Sequence, residues 1–210
     1  MRLFNPLIVL YLVILIFMPG IARGQSYREG LSIPPSQIFK GMLDYAKSGD
    51  PKKIEKSLQL LTPLLSAFSQ KYGINHGSEI RSALSDATYA DSPMSVKDRD
   101  RALKGIQRLI FSDIKDLFDQ ADMVIKESKE KAQIKFKTAF LDYLILGPYV
   151  ETKNFQSDGK IKRGFRDIQF TIDSSGPYGT SGPGALSPEA IKKMSDDIVN
   201  ELQTVLPELK

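Results

Sequence analysis

Between Ser95 and Lys126, apolar residues return at near-heptad intervals: Leu103, Ile106, Ile110, Leu117, Ala121 and Val124, with no proline to interrupt them. Side chains three and four positions apart share one face of an α-helix, so this period belongs to a helix and not to a strand. A helix this long cannot stand alone in water, because its stability comes from other elements covering its apolar stripe. The rest of the chain must supply that cover.

It does so in the same period. Ser36 is placed to cap a first helix over Gln37–Ser48, with Ile38, Phe39, Met42, Leu43 and Ala46 on one side and Gly49 as its stop. Asp50-Pro51 restarts the chain as a helix, and Ile54, Leu58, Leu61, Leu65 and Phe68 carry the stripe to Tyr72-Gly73, with a kink expected at Pro63. A short helix fits Ser78–Ala87. Beyond the mixed-charge run at 126–137, Phe136, Phe140, Tyr143 and Leu144 form another stripe, closed by Gly147-Pro148. Ile161, Phe165, Ile168 and Ile172 fit a helix, although Ile168, Phe170 and Ile172 also alternate as a strand would. The helix is favoured, since no partner strand exists in the sequence. Residues 174–186 are Gly-, Ser- and Pro-rich and read as a linker; Ser187-Pro188-Glu189 then caps a last amphipathic helix over 187–210. The expectation is an all-α antiparallel bundle of four to six helices, with the bundle proper at 36–173 and a Gly-rich loop before the last helix.

The N-terminal residues have a different character. Arg2 precedes the apolar run Leu7–Met18, Pro19-Gly20 breaks it, and Ala22-Arg23-Gly24 supplies small residues where a signal peptidase cuts, before Gln25. Residues 1–24 therefore read as a signal peptide that exports the chain to the periplasm or beyond; retained, the same segment is long enough to serve as an anchor. Residues 25–35, ending in Pro34-Pro35, read as an extended arm. Arg2 and Arg23 lie in the leader, which has no acid, so residues 25–210 carry 27 basic against 25 acidic side chains. That near-neutral balance gives no global attraction to nucleic acid.

Composition removes whole classes of chemistry. With no cysteine there is no disulfide framework, thiolate metal site or thiol nucleophile, and a single histidine, His76, rules out sites built from several imidazoles. His76, between Asn75 and Gly77, reads as a surface loop residue. No phosphate-binding loop, nucleophile elbow or Ser-x-x-Lys set is present, so the chain reads as non-catalytic and cofactor-free.

The remaining candidates are few. Asp142 interrupts Ala139–Leu146, where the helix is apolar almost all round; a carboxylate there must find a partner inside the bundle or serve a ligand. Tyr143 stands beside it. Asp113, Asp116, Asp119 and Asp122 recur every third residue; they read mainly as a solvated face, with Asp113 and Asp116 as the pair that could join Asp142 and Tyr143 around a small ligand or metal ion. Lys153, Lys160, Lys162, Arg163 and Arg166 make a local basic patch near Tyr149, Phe155 and Phe165, suited to an acidic partner, a polymer or anionic lipid.

The stretch AFLDYLILGPYVETKNFQSDGKIKRGFRDI, residues 139–168, resembles the extracytoplasmic helical-bundle domain of high-affinity iron permeases and imelysin-like periplasmic proteins. The resemblance lies in a Tyr-rich helix ending near a proline, a short acidic turn, and a following helix with a central aromatic residue. It implies a periplasmic helical bundle. The His/Glu metal-binding motif of that family has no counterpart in this sequence, so no functional residue follows from the likeness. The expected function is a partner-binding or accessory subunit of an envelope complex, with the long helix at 96–126 as docking surface. The alternative is a periplasmic protein that binds a small ligand or metal ion through buried Asp and Tyr groups.

Overall fold

The structure, a computed structural model, describes residues 28, 31, 33–89, 92–173 and 187–209. The leader at 1–24, most of the arm at 25–35 and the Gly-rich stretch at 174–186 lie outside them. Eight α-helices are formed by the described residues: α1 (Pro35–Ser48), α2 (Pro51–Leu60), α3 (Thr62–Tyr72), α4 (His76–Tyr89), α5 (Val96–Val124), α6 (Lys129–Lys153), α7 (Phe155–Asp173) and α8 (Pro188–Val205), followed by one 3₁₀ turn, Pro207–Leu209. The fold is an all-helical bundle.

Local sequence explains most of the boundaries. Asp50, Ser95, Ser128 and Ser187 each accept a backbone N–H three residues on, from Lys53, Asp98, Lys131 and Ala190, and so satisfy a donor that the first helical turn leaves unpaired. Gly49 ends α1 at φ 77°, a left-handed conformation that glycine enters without steric cost. The first helix departs from expectation, because it starts at Pro35 with Pro34 in the cap position, and Ser36 makes no capping bond. Proline's fixed φ suits the first helical turn, and its missing N–H is one the helix would have left unpaired.

Two prolines behave differently from what their sequence position suggests. Pro63 does not kink one helix; it lies in the first turn of α3, and the chain breaks at Leu61. This split, together with the full helix at 76–89, raises the number of helices above the four to six expected. Pro148 does not end α6, which continues through it to Lys153. The turn beyond the proline is held because Leu146 and Val150 are fully buried on either side of it, so packing outweighs the one lost hydrogen bond. The segment with the helix–strand ambiguity is helical throughout, as part of α7.

The long helix α5 runs through the middle of the bundle and packs against α1, α4, α6 and α8. Ile106, Leu109, Ile110, Ile114 and Leu117 are buried along it, and of its large apolar side chains only Val96 and Met123, near its two ends, are exposed. It is therefore the hub of the core, exposing no other large apolar side chain. Outside it, α6 packs on α7 and α7 on α8. Phe118 of α5, Phe136 of α6 and Phe165 of α7 join these layers, with ring centroids 5.5–5.8 Å from Phe118.

Candidate functional site

Asp113 and Asp142 are fully buried, and they meet. They face each other from the neighbouring helices α5 and α6, and between them sits the guanidinium of Arg28, from the N-terminal arm. One Arg28 nitrogen, Nη2, donates to Asp113 Oδ2 and, at 3.0 Å, to Asp142 Oδ2. The second oxygen of each carboxyl, Oδ1, is buried without a hydrogen-bond partner. Burial raises both above the usual carboxylate range. For Asp142 the shift is large, with the charge of Asp113 adding to it and Arg28 opposing; for Asp113, Arg28 is the main opposing influence. Two carboxylates and one guanidinium would leave a net negative charge out of water, and one proton on the pair removes it. The cluster is a buried clasp that ties Arg28 to α5 and α6.

Asp116 lies one turn along α5 and belongs to a separate network. Its Oδ1 accepts from Lys71 Nζ at 2.6 Å and from the Tyr72 hydroxyl at 2.7 Å, and Gln120 donates to Oδ2. Burial, then the bond to Asp116, raises the Tyr72 hydroxyl far above its ordinary range. The solvated-face expectation fails for Asp113 and Asp116, because Arg28 covers the first and Lys71 and Tyr72, at the end of α3, cover the second. Asp122, further along, is raised to about 6 by burial, with Lys192 opposing from 3.8 Å and Asp196 and Asp119 adding.

Tyr143 is wholly buried beside Asp142, yet it turns to another helix, where its hydroxyl donates to Asp158 Oδ1 at 2.6 Å. Lys162 Nζ closes on the other oxygen of Asp158 at 2.8 Å. The four residues chosen from sequence as one ligand set thus fall into three sites, each occupied by protein partners. Among the described residues no group of three or more His, Asp or Glu side chains is arranged to hold a metal ion. His76 is not a loop residue on the surface; it opens α4, is buried, and its Nε2 lies 2.9 Å from Ser112 Oγ. Burial holds its pKa below the ordinary range, with Glu79 opposing and Arg108 adding.

The basic patch also divides. Lys162, Arg163 and Arg166 line a groove of about 530 Å³ between α6 and α7, together with Lys137, a residue the sequence did not single out. Lys160 points to Glu201 of α8 at 3.5 Å, and Lys153 stands exposed at the end of α6, away from the groove. Beyond the groove, α6 carries Ile134, Leu141 and Leu144 exposed to solvent, at 61 %, 53 % and 45 %. Leu141, Leu144, Ile145 and Pro148 border a second hollow, of about 430 Å³, against Lys40 and Lys47 of α1. Heptad spacing from Ile134 to Leu141 and Pro148 would have disclosed this outer stripe, but the apolar run 139–146 reads as a helix buried all round.

Comparison with known protein families, with characterised proteins and with solved structures finds no match to this chain. The likeness to the iron-permease and imelysin-like domains therefore rests on residues 139–168 alone.

Proposed function

We propose that this chain is an exported, non-catalytic helical module that docks on a helical partner protein of the cell envelope through the outer face of α6. One observation carries the reading: Leu141 and Leu144 stand exposed and adjacent, with Ile134 two turns before them, on a helix whose opposite side is already packed in the bundle. Large apolar side chains repeated at seven- and three-residue intervals offer the seam on which a second helix seats its own. Lys40 and Lys47, with Asp44 between them, border this seam and offer a partner charged groups of both signs. The leader sequence supports export.

The double substitution Leu141→Asp, Leu144→Asp tests this. Both positions are exposed, so the variant is expected to keep wild-type helical circular dichroism and thermal midpoint while a partner that co-purifies with the wild-type chain from envelope extracts is lost. Undiminished recovery of the same partner by the folded variant would remove the outer face of α6 from the account.

A further inference from the structure

The groove on the inner side of α6 is of another kind. Its walls are two helical stripes, with Gln133, Phe136, Lys137 and Phe140 on α6 and Gly159, Lys162, Arg163, Arg166 and Gln169 on α7. Each stripe follows the three- and four-residue spacing of one helix face, so the two faces look at each other along their length. The floor is aromatic. Phe140 and Phe165 have ring centroids 5.2 Å apart, and Phe136 and Phe165 are only 4 % and 5 % exposed. The rim is cationic, with Lys137, Lys162, Arg163 and Arg166, and among the described residues no carboxylate lines the groove. Asp158 neutralises Lys162, and Arg166 leans toward Asp167 at 3.7 Å, where both are exposed. Among the described residues, Lys137 and Arg163 have no carboxylate partner.

We propose that this groove binds a single-chain amphipathic anion, a free alkyl carboxylate, with its chain along Phe136, Phe140 and Phe165 and its headgroup among Lys137, Arg163 and Arg166. Volume, floor and rim each restrict the occupant. About 530 Å³ falls within the roughly 300–1,000 Å³ usual for small-ligand sites. An apolar floor rejects a ligand polar throughout, and an acid-free rim in a nearly neutral chain selects negative charge. Phe136 and Phe165 lie beneath the cations, so only a chain that enters the groove reaches them, and that depth favours a free amphiphile; Phe170, 72 % exposed on α7 one turn from Arg166, is the apolar side chain a bilayer would meet instead. Neither Leu141 nor Leu144 lines this groove, although each lies one turn from a residue that does, so ligand binding and partner docking are read out by different substitutions.

Calorimetric titration with octanoate, decanoate and dodecanoate, each below its micelle concentration, tests the assignment on the wild-type chain. Saturable binding of one molecule is expected, tightening about fourfold per added methylene while the chain still finds floor to cover. Dodecanol, which lacks the charge, is expected to bind at least about tenfold more weakly. The exposed double substitution Lys137→Glu, Arg166→Glu should abolish dodecanoate binding with helical content unchanged, while Leu141→Asp, Leu144→Asp should retain it. Three results would each overturn the proposal: no saturable binding, equal binding by the Lys137→Glu, Arg166→Glu chain, or binding to phosphatidylglycerol vesicles without binding to monomeric dodecanoate.

Discussion

Arg28 shows how much one side chain decides. It precedes the first helix and, among the described residues, supplies the only cation that touches Asp113 and Asp142, so Arg28→Met should destabilise the protein by about 3 kcal/mol in chemical denaturation. That is the low end for breaking a buried pair, because the orphaned carboxyls can take up protons. Asp142→Asn should behave in the opposite way. The folded state holds a proton on the pair at a pH where the unfolded chain has released it. Native stability therefore falls as pH rises above the ordinary carboxylate value of 3.8 toward the raised one. The amide mimics the protonated acid, and the variant should show a flatter stability curve from pH 4 upward and equal or exceed the wild type at pH 7. His76 works in the other sense. Burial keeps its ring neutral when folded, so stability falls as pH drops below about 6.5, and His76→Gln should lessen that acid-side loss in thermal melts followed by circular dichroism.

At the scale of elements, α7 shows that equal residues need not be equal in effect. A Cβ placed on Gly164 would come within 2.9 Å of Ile198 Cγ1 on α8, whereas one on Gly159 would meet nothing within 4 Å. Alanine gains about 1 kcal/mol of helix propensity at either site, but at Gly164 the two helices must part to admit the methyl group. Urea denaturation should find Gly159→Ala more stable by about 0.5–1 kcal/mol and Gly164→Ala less stable by about 1 kcal/mol. The helices themselves were legible in sequence, because capping residues and apolar spacing are local signals: Asp50-Pro51, Ser95 and Ser187 stand where α2, α5 and α8 begin. Pro148 was misread because its cost is local while the packing of Leu146 and Val150 that outweighs it is not. The clasp was half legible. Asp142 announced a need for a partner, but nothing near it in sequence pointed to Arg28, more than a hundred residues away. Asp113 and Asp116 were misread for a related reason, since a three-residue spacing shows which residues share a face and not what covers it.

The described residues form a cysteine-free helical bundle packed around α5, with Arg28 fastened in a buried clasp and large apolar side chains exposed on α6. Its near-neutral charge leaves local patches, and not the global field, to select what it binds. The four residues named from sequence for a small ligand do not share one site. Asp113, Asp116, Asp142 and Tyr143 are taken up by Arg28, Lys71, Tyr72 and Asp158, and the open space lies between α6 and α7 instead. The central claim remains the outer face of α6, and site-specific photo-cross-linking in the native envelope tests it most directly. A benzoylphenylalanine at position 141 should give one discrete adduct with a single partner protein, while the same probe at Lys56, exposed on α2, should give none. Equal labelling from both positions, or no adduct from position 141, would contradict the account.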